Sequence, residues 1–146
     1  MRKSTLRSIQ VWIVAIFIFL GARQSAAVDG RDFAGFYELK NVVDQGNVVS
    51  FNLKLRVFNY SDDDVIGASV VLEDALLLDA YAVFPNVRID FQGTVLLSGT
   101  ASVPGWEYDQ WHQGGSPRFT IAYQDAAGNV ILRLIELVQM PLGEQS

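Results

Sequence analysis

The clearest alternation along the chain runs over residues 50–60, SFNLKLRVFNY, where Phe51, Leu53, Leu55 and Val57 interleave with Asn52, Lys54 and Arg56. A period of two sends one set to each side of an extended backbone, so the segment predicts a half-buried strand. Residues 36–43 predict its partner, because Asp44-Gln45-Gly46-Asn47 supplies turn chemistry for a four-residue hairpin connection before Val48 and Val49. Residues 61–64 form a polar turn. Beyond it, Ala68, Val70 and Leu72 alternate with Ser69, Val71 and Glu73 in a third strand whose outer face is only partly polar.

In the middle, the apolar run 75–78 fits either one helical turn or a strand, and 81–84 continues it until Pro85-Asn86 punctuates. Val87, Ile89 and Phe91 then alternate with Arg88, Asp90 and Gln92. Residues 94–103 are a β-leaning run in which Gly99 marks a bulge or a close backbone approach, and Pro104-Gly105 ends it. The stretch 105–117, GWEYDQWHQGGSP, shows no period and reads as a long surface connection. Two strands close the chain: 118–123, with Phe119, Ile121 and Tyr123 inward, and 130–140, after a turn in which Gly128 takes the left-handed conformation. The last of these is apolar on both faces apart from Arg133, Glu136 and Gln139, which places it centrally in a sheet, covered on two sides. Seven or eight short strands with no helix-length amphipathic segment predict an all-β fold of two packed antiparallel sheets, with a closed barrel as the alternative.

The first 27 residues differ from the rest. Arg2, Lys3 and Arg7 precede the unbroken apolar run 11–20, and small residues at Ser25 and Ala27 follow. This is the layout of a signal peptide cleaved after Ala27. Ten apolar residues are too few for a bilayer core that needs about 20. An uncleaved anchor over residues 9–22 is the alternative, and the absence of cysteine excludes a lipoprotein signal. The expected mature domain is therefore 28–146, exported to a periplasm or the exterior, with no insertion into the membrane after cleavage.

Composition changes once the leader is set aside. Of 11 basic and 16 acidic residues in the chain, Arg2, Lys3, Arg7 and Arg23 belong to the leader, which leaves 7 basic residues against 16 acidic, or a net charge near −9. Phosphate-rich nucleic acid and anionic membrane surfaces are poor partners for such a domain. With no cysteine, the fold must rest on its core, and 119 residues suffice for one.

Little catalytic chemistry is on offer. His112 is the single histidine and the one available base; Asp109 and Ser116 lie near it in sequence, but no nucleophile elbow accompanies them. Asp62-Asp63-Asp64 with Gly67 and Glu73 imitates a twelve-residue calcium loop, yet Ile66 and Val70 stand where oxygen ligands are required. A looser calcium contact from Asp62 and Asp64 is the surviving metal candidate, and a solvated turn is the plainer account. Zinc lacks ligands, scattered acids without a cleft do not make a glycosidase, and no cofactor is expected. Asn59-Tyr60-Ser61 fits the glycosylation sequon. The strongest lead is Trp106, Tyr108 and Trp111, with His112 beside them: flat rings in an exposed loop stack on sugars or anchor a protein, although alternate rings such as Trp106 and Tyr108 also serve to cover the open end of a core.

The segment LKLRVFNYSDDDVIGASVVLED, residues 53–74, resembles the second and third strands of small immunoglobulin-like modules in exported bacterial proteins, and FTIAYQDAAGNVILRLIEL, residues 119–137, is similar to their closing hairpin. The resemblance implies architecture, an immunoglobulin-like antiparallel β-sandwich, and no activity, since such modules share no catalytic residues. The functional expectation is a non-enzymatic exported sandwich that binds a protein or an envelope component through a sheet edge or the 106–112 loop. Carbohydrate recognition through Trp106, Tyr108 and Trp111 is second, and a small hydrolase third.

Overall fold

A computed structural model describes residues 32–74 and 79–138. Residues 1–31, with the expected leader and its expected cleavage site at Ala27, the run 75–78 and residues 139–146 lie outside the described residues. Among the described residues there are eight strands: β1 (Phe33–Asp44), β2 (Val48–Asn59), β3 (Val65–Glu73), β4 (Ala80–Ile89), β5 (Thr94–Pro104), β6 (Arg118–Gln124), β7 (Val130–Leu134) and β8 (Glu136–Leu137). One helix, α1 (Gly105–His112), stands between β5 and β6. The strands form two four-stranded sheets, in the orders β5-β2-β1-β8 and β4-β3-β6-β7. The chain changes sheet between β2 and β3, between β4 and β5, through α1, and again after β7. That is a Greek-key sandwich of the immunoglobulin-like kind.

Alternation decides which side of each strand is wet. In β2, Phe51, Leu53, Leu55 and Val57 are buried while Asn52 and Lys54 are exposed. Opposite them Ala68, Val70 and Leu72 of β3 and Phe119 and Ile121 of β6 fill the same interior. Each such side chain removed from water contributes about 1.5–3 kcal/mol if fully buried, which is how a chain without disulfides holds together. The β1–β2 hairpin turns where the Asp-Gln-Gly-Asn signal places it, with Gly46 at φ 88° and its N–H donated to Asp44 Oδ1 at 2.7 Å.

Three expectations need correction. The strand expected over 130–140 is not one central strand in its described part, 130–138. β7 ends one sheet and β8 ends the other, and Ile135 is the crossing point. Its N–H donates to Phe119 O at 2.9 Å, and Glu136 and Leu137 then pair parallel with Ala34 and Gly35. The segment is apolar on both sides because it serves two sheets in succession; Ile135 itself is buried. Gly35 makes room for it, since a Cβ there would stand 3.1 Å from Ile135 Cγ2 and 2.6 Å from Arg56 O. Second, Pro85-Asn86 does not separate two segments: β4 runs through it with a register shift, and Asn86 takes φ 56° to absorb the extra residue. Third, residues 105–112 are helical and not a loop. Gly99 is a close approach without a bulge: β5 keeps register with β2 throughout, and the Phe84 ring lies 3.2 Å from where a Cβ would be.

Candidate functional site

Helix α1 closes one end of the sandwich. Pro104 precedes it at φ −58°, Gly105 N–H donates to Asn47 O at 2.9 Å, and a Cβ on Gly105 would fall 2.3 Å from Gly46 O. The helix therefore starts where a residue without a side chain lets the β1–β2 turn come close. Glu107 in the first turn and His112 in the last both suit the helix dipole. Gly115 N–H returns to Gln110 O at 2.9 Å and Gly114 adopts φ 100°, which stops it.

Helical geometry then sorts the aromatic residues. Glu107 and Trp111, four apart, face inward, and Trp111 is 9% exposed. Trp111 packs on Phe51 with centroids 6.0 Å apart, and Tyr108 lies 6.5 Å from Phe51 and 6.1 Å from Trp111. Trp106 points the other way at 51% exposure. The expected row of Trp106, Tyr108 and Trp111 is thus divided: Trp111 and Tyr108 cover the core, and Trp106 is left in solvent. The expectation that Trp106 and Tyr108 would share the covering role by alternation is corrected for the same reason.

The His112 ring lies tilted against Tyr108, with centroids 4.4 Å apart and planes at 44°, and its Nδ1 lies 3.1 Å from the Tyr108 carbonyl one turn back. That contact favours a hydrogen on Nδ1 and gives the ring a backbone partner where a catalytic triad would place a carboxylate. Buried Glu107 accepts a hydrogen bond from Tyr81 Oη at 3.1 Å. Burial first, and then the Glu107 charge, push the Tyr81 hydroxyl far above its ordinary range, so it stays a donor.

The Asp62 to Asp64 turn is organised around Asn59. Asn59 is 0% exposed; its Nδ2 donates to Asp63 O at 2.9 Å and Ile89 O at 3.0 Å, and its Oδ1 accepts from Ser61 N at 2.9 Å and Ser61 Oγ at 2.6 Å. Asp64 Oδ1 accepts from Phe91 N–H at 2.6 Å, while Asp62 is exposed. Among the described residues no group of three Asp, Glu or His side chains is placed to hold a metal. The sequon asparagine is a structural bracket between turns, and its amide nitrogen is occupied.

Sequence reasoning passed over the outer face of the β5-β2-β1 sheet. Here Phe36 stands opposite Arg56, and Arg56 opposite Leu96. The Arg56 guanidinium carbon lies 5.9 Å from the Phe36 ring centroid, Phe36 is 5.9 Å from Phe58, and Phe58 stacks on Tyr60 at 6.1 Å with planes 13° apart. Tyr60 is 60% and Leu96 51% exposed. The same alternation that buries Phe51 through Val57 carries this signal: Phe58 and Tyr60 share the parity of Asn52, Lys54 and Arg56 and must point outward with them.

No family model matches this chain, nor does any curated protein sequence. Among solved structures it is similar to a GH20 exo-β-N-acetylglucosaminidase from Vibrio harveyi, with a TM-score of 0.47 and 10% identity over 79% of this chain and 20% of that one. It is also similar to a CARDB domain from Pyrococcus furiosus solved with two metal ions (TM-score 0.37, 14% identity, 73% of this chain and 88% of that one). A third is the putative ApaA protein from Bordetella pertussis (TM-score 0.37, 13% identity, 75% and 92%). This chain spans about a fifth of the glycosidase. Likenesses this distant carry no functional argument.

Proposed function

We propose that the protein is a non-enzymatic, exported β-sandwich that binds a component of the cell envelope or a protein attached to it, and that the outer face of the β5-β2-β1 sheet is its contact surface. The observation that carries this reading is the strip of Phe36, Arg56 and Phe58 on two paired strands, continued by Tyr60 just past the end of β2. Aromatic and arginine side chains held in this way are the residues that dominate binding surfaces. The backbone pairing of His112 supports a non-catalytic role. The basic-apolar-small order of residues 1–27 supports export.

The test is co-sedimentation of the protein, as recovered from expressing cells, with isolated envelopes of its source organism. The double variant Phe58→Ala/Tyr60→Ala should lose most retention, whereas Trp106→Ala should keep it. A second reading, saccharide stacking at the sandwich end, is favoured by the exposure of Trp106. Loss of retention in Trp106→Ala alone would move the contact to α1. Wild-type protein that stays in the supernatant would end both readings.

A further inference from the structure

The outer face of the β5-β2-β1 sheet differs in charge from the rest of the chain. Residues 28–146 hold 7 basic and 16 acidic side chains. Three of the basic ones, Lys40, Lys54 and Arg56, occupy outward positions of this one face, where Glu38 is the one acid of the same parity; Asp44, at the end of β1, pairs with inward Val49. Arg88, Arg118 and Arg133 lie elsewhere, each within ion-pair distance of an acid, Asp90, Glu73 and Asp32 respectively. On the face, Lys40 meets Glu38 at 3.2 Å. Lys54 and Arg56 have no ion pair among the described residues. Glu38 also stands directly opposite Lys54 in the β1–β2 register, so on this face an acidic protein has collected three cations against one outward acid.

The cations do not stand alone. Towards one end of the strands lie the rings of Phe36, Phe58 and Tyr60. Towards the other, Ser50 and Ser102 face each other with their hydroxyls 2.8 Å apart, beside Asn52 and Thr100. There the sheet surface dips into an open depression of about 330 Å³, where the β1 strand shifts register between Lys40 and Val43 and Asn41 takes φ 54°. From Phe58 to Ser50 the face runs about 26 Å along the strand at roughly 3.3 Å per residue. It is a linear track: rings, then cations, then hydroxyl and amide groups.

We infer that this track binds an anionic polysaccharide bearing uronic-acid carboxylates. The inference rests on the contact surface proposed above and names its ligand. The three chemistries match the three parts of such a chain. Sugar rings present C–H faces that lie flat on Phe58 and Tyr60. Carboxylates meet the Arg56 fork, already oriented by its contact with Phe36, and the Lys54 ammonium. Free hydroxyls find donors and acceptors in Ser50, Asn52, Thr100 and Ser102. The acidic remainder of the domain repels an anion elsewhere and restricts it to this face. A nucleic acid would need more cations than three to offset that repulsion.

The experiment measures binding of polygalacturonate by calorimetry at low salt, beside its carboxyl-reduced form, dextran sulfate, polyglutamate and oligothymidylate. Polygalacturonate should bind, and carboxyl reduction should weaken it at least about tenfold. Lys54→Gln/Arg56→Gln should lose at least about tenfold with an unchanged unfolding midpoint, and Trp106→Ala should bind as wild type. Absence of polygalacturonate binding, indifference to carboxyl reduction, or indifference to the double variant would overturn the inference. So would equal or tighter binding of dextran sulfate, polyglutamate or oligothymidylate, since charge alone would then suffice. Envelope retention that survives such a failure leaves the proposed function standing with another ligand; loss of both ends both.

Discussion

Trp111 meets the ring of Phe51 edge-on, with centroids 6.0 Å apart and planes at 65°. This contact joins α1 to the apolar core and separates the two tryptophans of the helix into a buried one and an exposed one. Trp111→Ala should therefore destabilise the fold by about 3–5 kcal/mol, the range for truncating a buried large aromatic. Trp106→Ala should remain within about 0.5 kcal/mol of wild type, as exposed positions do. Urea unfolding of both variants checks the pair, and equal losses would show that the helix packs differently.

Asn59 links three stretches of backbone from a fully buried position. Asn59→Ala leaves several of those carbonyls without a donor and should cost about 2–3 kcal/mol. A glycan on Nδ2 is incompatible with the same hydrogen bonds. Folded protein secreted from a eukaryotic host should show unmodified Asn59 by mass spectrometry, and a glycosylated folded species would contradict the arrangement.

Gly105 and Gly99 are both crowded, by different neighbours. A methyl on Gly105 would strike the Gly46 carbonyl, which belongs to the backbone, while one on Gly99 would press the Phe84 ring, which can turn. Gly105→Ala should lower stability by about 1–3 kcal/mol as an overpacking change, and Gly99→Ala by clearly less. Thermal midpoints of the two variants distinguish them.

Glu73 should give the stability a pH dependence of its own. Burial raises its carboxyl above the ordinary 4.5, against the opposing pull of the Thr120 hydroxyl and Arg118. Between 4.5 and the raised folded value, the native state holds a proton that the unfolded chain has released, so stability falls as pH rises through that window. Below 4.5 both states hold the proton and the stability is at its full value; above the folded value the loss is complete. Glu73→Gln should therefore show a shallower fall than wild type in urea midpoints taken from pH 4 to 7, and parallel profiles would contradict the assignment.

The strands were legible where one face is dry and the other wet. Phe51 to Val57 in β2 announce themselves, because a period of two has no other use in a half-buried strand; in β3 the parity of Ala68, Val70 and Leu72 reads the same way, although Val71 between them is buried too. Helix α1 was missed although its signals are local: Pro104 before the first turn, Glu107 within it, Tyr108 three residues before Trp111 and four before His112, and Gly114-Gly115 after it. Eight residues give too few turns for a period to stand out against flanking glycines. The outer aromatic strip was half legible, since parity alone sends Phe58 and Tyr60 outward, but the neighbour that brings Phe36 onto Arg56 comes from register.

Local pattern by itself determined that this chain makes strands, where most of them turn, and that two sheets would share one apolar interior, because those properties follow from side-chain parity and turn stereochemistry. Tertiary structure decided the rest. Ile135 gives its N–H to one sheet while the next two residues pair with the other, and an apolar run cannot say which sheet it will serve. Trp111 is buried and Trp106 is not because a helix turns them to opposite sides, and Lys54 and Arg56 become one positive track only when β1 and β5 are laid alongside β2. Such choices depend on which distant backbone comes near, and that is settled by packing and hydrogen-bond register between strands far apart in the chain.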